Sequence, residues 1–140
     1  MSYLLDTNAI SEWVKPRPDP GIARWLDEVD EDRTYLSVIT LGELRKGVDR
    51  LADGKRRDRL DDWLTNDLPD RFGDRVLPVD NPIADECGRL LASAETAGTT
   101  IGGIDGLIAA TAKVHDLQVV TRNVAHFRHT GADIICPWQS

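Results

Sequence analysis

Residues 3–8 read Tyr3-Leu4-Leu5-Asp6-Thr7-Asn8, a short apolar run that ends at a carboxylate followed by a hydroxyl and an amide. A run of this kind, bounded by polar residues, indicates a buried strand. In an open α/β sheet, a strand that ends at an acid places that acid at the carboxyl edge, where ligands bind. The stretch therefore predicts both the first strand of a sheet and a functional position at Asp6.

The rest of the chain alternates strands with helices. Further strands are predicted at 34–39, 76–79 and 117–121, with a short edge strand at Ile134-Ile135, and amphipathic segments lie between them. This order predicts a parallel sheet covered on both faces, an α/β fold with three layers and a mainly parallel sheet of four to five strands. A chain of 140 residues suits one domain spanning residues 1–140.

Three more polar positions are expected at the same edge as Asp6. Glu43 lies in the first turns of the helix after the second strand, Asp105 starts an apolar helix, and Asn123 follows the fourth strand. In right-handed β-α-β units the strand ends and the following helix starts share one edge. We expect Asp6, Glu43 and Asp105 to hold a divalent metal ion, with Asn123 beside them as a fourth catalytic group.

The donor chemistry selects the metal and the supporting residues. Clustered carboxylates take up protons unless a cation compensates them, and oxygen donors without His or Cys favour Mg²⁺, with Mn²⁺ as a substitute. Such an ion can activate a water for attack on a phosphodiester. Neighbouring hydroxyls and an amide are expected to orient the acids or their waters: Thr7, Asn8, Ser37 and Thr121.

Each of the four positions also has a simpler structural interpretation. Asp6 can be a helix cap, Glu43 a solvated helix residue and Asn123 an ordinary turn residue. Asp105 complements a helix N-terminus, although its helix is apolar or small almost all round and should be buried. The joint placement of the four residues, rather than any one of them, favours a site.

Composition excludes several classes of protein. The formal net charge of -7 argues against a general nucleic-acid coat, but it leaves a metal-dependent nuclease open because metal carboxylates add negative charge. Cys87 and Cys136 form no C-x-x-C pair and are expected to be reduced, partly buried thiols. There is no long apolar run or signal peptide, so a cytoplasmic location is expected.

Basic residues give candidate RNA contacts. Arg45, Lys46 and Arg122 are placed to reach a nucleic-acid backbone, whereas the run 55–59 is most simply a solvated helix face. The target RNA cannot be derived from the sequence, because single-stranded RNA is recognised through shape and stacking.

Four segments resemble the PIN domain, in the VapC toxin branch of bacterial toxin–antitoxin pairs and close to its FitB-like members. They are 4–12 (Leu-Leu-Asp-Thr-Asn-Ala-Ile-Ser-Glu), 36–47 (Leu-Ser-Val-Ile-Thr-Leu-Gly-Glu-Leu-Arg-Lys-Gly), 105–112 (Asp-Gly-Leu-Ile-Ala-Ala-Thr-Ala) and 120–123 (Val-Thr-Arg-Asn), with Pro137-Trp138 at the end. Each segment alone is a weak signal, but all of them in this order are specific.

The resemblance implies a PIN-like α/β/α fold and a metal-dependent ribonuclease in which Asp6, Glu43 and Asp105 match the family's metal-binding acids. It also implies a homodimer or a higher toxin–antitoxin assembly. A VapB-like antitoxin would silence the toxin through a tail in the active-site groove, and promoter DNA would be bound only through that antitoxin. Many relatives carry Asp at the position of Asn123, so the resemblance implies one well-held metal ion rather than two.

Two other functions remain open at this point. A phosphatase with Asp6 as the nucleophile, as in haloacid-dehalogenase-like enzymes, needs a second Asp where this chain has Asn8, and a late phosphate-binding Lys. A PIN-fold binding module with weak or no catalysis, acting through its antitoxin or DNA complex, is favoured by the amide at Asn123.

Overall fold

A five-stranded parallel sheet forms the centre of the computed structural model, which describes residues 1–139. The strand order is β3-β2-β1-β4-β5 and every neighbouring pair is parallel. The strands are β1 (Tyr3–Leu5), β2 (Thr34–Ser37), β3 (Val76–Leu77), β4 (Gln118–Val120) and β5 (Ile134–Ile135). Because β1 lies in the middle, Asp6 leaves the sheet between the ends of β2 and β4.

Within residues 1–139, eight α-helices connect the strands. They are α1 (Thr7–Glu12), α2 (Pro20–Glu28), α3 (Val38–Asp49), α4 (Lys55–Asp62), α5 (Leu68–Phe72), α6 (Asn81–Thr96), α7 (Gly103–His115) and α8 (Val124–Phe127). Short 3-10 turns cover Glu31–Arg33 and Gly73–Arg75, and a π-helical turn, Trp63–Asp67, joins α4 to α5. None of the helices in residues 1–139 has the length and apolar character needed to cross a membrane.

Two hydrophobic clusters lie on opposite faces of the sheet. Leu4 belongs to the cluster beneath α6 and α7, and Leu5 to the cluster beneath α1 to α5. Adjacent strand residues point to opposite faces, so one dipeptide supplies both cores. Both leucines are fully buried, and truncating either to Ala would cost about 2–5 kcal/mol. The three-layer α/β/α prediction is confirmed.

The predicted second strand was too long. Residues 34–39 were expected to be one strand because Val38 and Ile39 are β-branched, yet β2 ends at Ser37 and α3 begins at Val38. Ser37 Oγ accepts the Ile39 amide N–H at 3.0 Å and caps the helix. A satisfied helix start outweighs the β-preference of two residues.

The helix expected after Gly54 is also less regular than predicted. It proceeds as α4, the π-helical turn and α5, and Pro69 lies in the first turn of α5. Proline cannot supply the N–H of a continuous α-helix, so an irregular turn ahead of it is expected.

Helix α7 is buried as predicted, and its close contact with α6 depends on Gly106. A Cβ added to Gly106 would lie 3.1 Å from Leu91 Cδ2 and 3.2 Å from Cys87 Sγ. Cys87 is a buried free thiol, and burial raises its pKa. Cys136 is a free but exposed thiol, so the expectation that both thiols are partly buried was wrong for Cys136.

The segment 137–139 packs against the start of α2. Asp19 caps α2 by accepting the Gly21 and Ile22 amides, and the same Oδ2 atom accepts the Gln139 amide at 3.1 Å. A Cβ on Gly21 would lie only 2.3 Å from the Pro137 carbonyl oxygen. Glycine is therefore required where this segment crosses the helix.

Candidate active site

Asp6 is the buried centre of the site, with 5% of its surface exposed. Its amide N–H donates to the Val120 carbonyl at 3.0 Å, which extends the pairing of β1 with β4 by one residue. Oδ1 accepts the Thr7 amide at 2.8 Å and caps α1. Oδ2 accepts from Asn8 Nδ2 at 3.1 Å and from Thr121 Oγ1 at 2.8 Å. The carboxylate is thus fixed by neutral donors.

The turn after β4 is joined to the turn after β1 by side chains. Thr121 is fully buried, and its Oγ1 also accepts the Asn123 amide at 3.0 Å. Asn8 donates to Asp6 and accepts the Arg122 amide at 3.0 Å. The predicted convergence of these turns is confirmed, and Asn8 acts as a donor where a phosphatase of the alternative kind would need a second acid.

Glu43 reaches the site through Thr7. The Thr7 hydroxyl donates to Glu43 Oε1 at 2.6 Å, although the two residues lie on different helices. Glu43 is half-buried and lines, with Thr7, a cavity of about 260 Å³. The sequence predicted only that Thr7 would orient one of the acids or a water. The structure shows that it binds Glu43 directly.

Asp105 lies in the first turn of α7 and is half-buried. Burial raises its pKa, the charge of Asp6 raises it further, and His126 lowers it. His126 Nδ1 lies 3.5 Å from Asp105 Oδ2, and the imidazole is more than half exposed. Nothing in the sequence signalled this contact, because His126 and Asp105 lie on different helices. Two acids therefore lie in one another's field, and no Lys or Arg within residues 1–139 forms an ion pair with either.

The remaining predicted residues divide into those at the site and those engaged elsewhere. Asn123 is exposed, and its side chain makes no hydrogen bond within residues 1–139. Lys46 and Arg122 are exposed. Ser37 was expected to orient the acids, but its hydroxyl caps α3. Arg45 was expected to contact RNA, but it binds Asp49, Asp61 and Thr65 and links α3 to the region after Gly54.

The donor set suits a hard divalent cation only in part. All the side-chain donors are oxygens, and the pKa of Asp105 is raised first by burial and then by the negative charge of Asp6. Within residues 1–139, however, no three His, Cys, Asp or Glu side chains are grouped so that they could hold a metal ion. Mg²⁺ is commonly held by one or two carboxylates together with waters and substrate phosphates, so the pair Asp6–Asp105 fits such an ion without a complete protein cage.

A second buried acid, which the sequence interpretation did not single out, lies at the other end of α1. Glu12 is 3% exposed; its Oε1 accepts the Asp19 amide at 2.9 Å, and Lys15 Nζ forms an ion pair with Oε2. Oε2 accepts no geometrically defined hydrogen bond, so the contact with Lys15 is the compensation it has. The i, i+3 spacing of Glu12 and Lys15 was the available signal.

Comparison with known proteins identifies relatives of nearly full length. The family model described as "PIN domain" matches residues 3–132. The protein called Toxin FitB from Neisseria gonorrhoeae is 41% identical over 135 residues, which is 96% of this chain and 97% of that protein. The VapC ribonuclease Y4jK from Sinorhizobium fredii is 41% identical over 136 residues, covering 97% of each.

Solved structures give the same relationship. The crystal structure of FitAcB from Neisseria gonorrhoeae contains a chain that superposes with a TM-score of 0.93 at 40% identity and 99% coverage of both chains. The structure of FitAB bound to an IR36 DNA fragment gives a TM-score of 0.92 at 38% identity, covering 99% of this chain and 96% of that one.

Proposed function

This chain belongs to the PIN-domain family, and on that premise we propose that it is a metal-dependent endoribonuclease, the toxin of a type II toxin–antitoxin pair. One observation carries the proposal: buried Asp6 and half-buried Asp105 lie in each other's field with no Lys or Arg bound to either within residues 1–139. A PIN-domain relative is named VapC ribonuclease and another is named a tRNA(fMet)-specific endonuclease. These names support phosphodiester cleavage in RNA.

Asp6 and Asp105 would hold Mg²⁺ or, as a substitute, Mn²⁺, and Glu43, which is not grouped with them as a third ligand, would act on the waters of the ion. When bound, the ion would favour deprotonation of the attacking water and stabilise charge on the phosphoryl oxygens. The protein's own contribution is orientation: Thr121 and Asn8 fix the Asp6 carboxylate, and Thr7 fixes Glu43. Asn123 would add an amide but no charge, which supports a single well-held ion.

The protein is proposed to act as a homodimer or in a larger toxin–antitoxin assembly. Two relatives of known structure are described as FitAcB and as FitAB bound to an IR36 DNA fragment, which supports assembly with a second component and contact of the complex with DNA. We propose that this component is a VapB-like antitoxin that silences the toxin, and that promoter DNA is bound only through it. An antitoxin tail that entered the active-site groove would occupy the cavity beside Glu43 and so compete there with the RNA substrate. No membrane partner is proposed, and the expected location is the cytoplasm.

The decisive experiment compares two acids on different surfaces. Asp105→Asn should abolish Mg²⁺- or Mn²⁺-dependent cleavage of cellular RNA and relieve growth arrest, because it removes one of the two interacting acids. Asp85→Asn is the matched control, since Asp85 is exposed on α6 and pairs with Arg89. Asp105 is destabilised as a carboxylate, so its replacement should leave the denaturation midpoint unchanged or raise it. Full cleavage by folded Asp105→Asn would contradict the proposal.

A second candidate is a PIN-fold module that binds its partner without efficient catalysis. It is favoured by the lack of a three-residue metal cluster within residues 1–139 and by the neutral Asn123. Calorimetry of the partner-free protein with Mn²⁺ separates the two. Binding at one site that Asp105→Asn removes supports the nuclease, whereas no binding at millimolar Mn²⁺ supports the module.

A further inference from the structure

A groove runs away from the acids along α1, α3 and α4. The cavity of about 260 Å³ that begins at Thr7 and Glu43 shares three lining residues with a second cavity of about 380 Å³ that reaches Pro16 and Arg59. The shared residues are Val14, Arg56 and Leu60. The two cavities therefore form one surface, called the α1–α4 groove below, with the acids at one end and arginines at the other.

Two arginines, Arg56 and Arg59, line this groove. Arg56 and Arg59 are exposed and form no ion pair within residues 1–139. Their neighbour Arg57, which does not line the groove, pairs with Asp53 at 2.7 Å. In a protein of net charge -7, unpaired arginines side by side in one groove leave a local positive field directed at a ligand.

A third cation is fixed in position by a buried acid. Lys15 lines the groove together with Glu43, and its ammonium forms an ion pair with Glu12, which is 3% exposed. Glu12 is itself held by the Asp19 amide. Lys15 is thereby ordered before any ligand arrives, while about half of its side chain stays exposed.

The wall between these cations is apolar and includes an aromatic ring. Val14, Leu60 and Trp63 line it, and Trp63 begins the π-helical turn. Grooves that bind single-stranded nucleic acid combine cations that follow the backbone with apolar or aromatic surfaces that contact bases. Charge and composition here match that combination, and the groove is continuous with the acids proposed to cut RNA.

We infer that the α1–α4 groove holds the single-stranded RNA substrate on one side of the cleaved bond, with its phosphates on Lys15, Arg56 and Arg59. Glu12 is a positioning residue for Lys15, and the apolar wall contacts bases. The inference rests on the proposed ribonuclease function and assigns the region of the substrate that this chain grips. It also revises the sequence interpretation of residues 55–59, in which all of these charges were a solvated face.

The test measures RNA binding separately from cleavage. A fluorescent single-stranded RNA is titrated with wild type, Arg56→Gln/Arg59→Gln and Arg57→Gln in EDTA, over a series of salt concentrations. The double variant should bind several-fold more weakly on every sequence, and its plot of log K against log salt should flatten by about 0.7 for each lost phosphate contact. Arg57→Gln, which removes a paired arginine from the same helix, should match wild type.

The role of Lys15 is tested by substitutions that remove or keep its charge and by RNA substrates of different length. Lys15→Gln should weaken binding, and Lys15→Arg should restore it, because a guanidinium keeps the charge. With Mn²⁺ present, the same variants should raise KM for a long RNA more than for a dinucleotide, since a dinucleotide offers fewer phosphates to the groove. A loss of stability alone would change both substrates equally.

The outcomes separate this inference from the proposed function. An RNA affinity and salt slope that the double variant leaves unchanged would overturn the inference, even if wild type cleaves RNA. An acidic probe peptide is titrated in the same way. If the double variant binds this peptide more weakly than wild type does but binds RNA equally well, the inference is also overturned and the groove is assigned to a protein partner. RNA binding that depends on Arg56 and Arg59, in a protein that cuts no RNA, would support the groove and overturn the nuclease.

Discussion

Helix α1 has a buried acid at each end, and the two acids are compensated in opposite ways. Asp6 precedes the helix and accepts hydrogen bonds from neutral groups, the Thr7 amide, Asn8 and Thr121. Glu12 ends the helix and pairs with a cation, Lys15. The exposed fractions are nearly equal, 5% for Asp6 and 3% for Glu12, so burial does not distinguish them.

The difference indicates which of the two carboxylates has its charge compensated within the protein. A buried carboxylate is costly unless a charge partner and hydrogen bonds compensate it. Glu12 has both within seven residues of sequence, whereas Asp6 has hydrogen bonds and a second acid, Asp105, in its field. The acid with the raised pKa is Asp105, and acids perturbed in this way are concentrated at functional sites. The comparison therefore favours the start of α1 as the proposed metal site, whereas the end of α1 holds the loop and Lys15.

The largest expected effect lies at the start of the helix. Asp6→Asn should lower RNA cleavage by about 10²–10³-fold, since stabilisation of transition-state charge by a held ion is worth several kcal/mol. Glu12→Gln should leave the rate constant at saturating RNA nearly unchanged, because it weakens RNA binding and not the chemical step. Single-turnover rates with saturating RNA give the measurement, and far-ultraviolet circular dichroism checks the fold. Equal losses of the rate constant in both folded variants would break the comparison.

For the stability of the fold, the larger effect is expected at Glu12, at the end of helix α1. Glu12→Gln should lower the free energy of unfolding by about 1.5–3 kcal/mol, because hydrogen bonds to a charged group are lost from a buried site. Urea denaturation at neutral pH measures this, with Glu28→Gln on the exposed surface of α2 as the control. A midpoint identical to that of wild type would mean that Glu12 does not hold the loop.

Thr121 offers a finer test of how Asp6 is oriented. Thr121→Val keeps the shape of this fully buried residue but removes the hydroxyl that donates to Asp6 and accepts the Asn123 amide. We expect about tenfold weaker Mn²⁺ binding, as for other residues that orient metal ligands. Calorimetry should show that Thr121→Ser, which retains the hydroxyl, recovers most of the affinity.

The smallest expected effect concerns the exposed ion pairs of Arg45. The hydrogen bond from Arg45 lowers the pKa of Asp61, so this pair stabilises the folded state above the ordinary carboxyl pKa and ceases to do so as pH falls through the lowered value. Asp61→Asn should be slightly less stable than wild type at neutral pH and indistinguishable from it in strong acid. Cleavage of RNA at neutral pH should not change, which would confirm that Arg45 serves the fold.

The sequence predicted the site where backbone topology alone determines it. Asp6 and Thr121 follow strands of one parallel sheet, so their placement at the same edge follows from the carboxyl-edge rule, whereas the adjacency of β1 and β4 comes from the structure. The bond between Thr7 and Glu43 was not predictable, because it depends on how two helices are rotated against each other. Arg45 was misassigned for the same reason, since its partner Asp61 lies on another helix.

Boundaries were predicted less well than element types. The strand Thr34–Ser37 was extended to Ile39 because local β-preference could not be weighed against a helix cap at Ser37. The buried helix containing Asp105 was predicted correctly because its central residues are small or apolar, and the structure buries Gly106 and residues 108–112. Patterns repeated over many residues were thus reliable, whereas decisions that depend on one hydrogen bond were not.

The packing of residues 137–139 on Gly21 affects how the protein should be handled. The Asp19 carboxylate accepts the Gln139 amide, and the Asp19 amide donates to Glu12. Strain introduced after Gln139 would therefore reach Glu12 and, through it, the ion pair with Lys15. An affinity tag fused directly after this segment, or a protease that removes it, would weaken the proposed RNA binding without changing any acidic residue of the site. Recombinant versions should carry their tags ahead of Met1, or behind a flexible spacer.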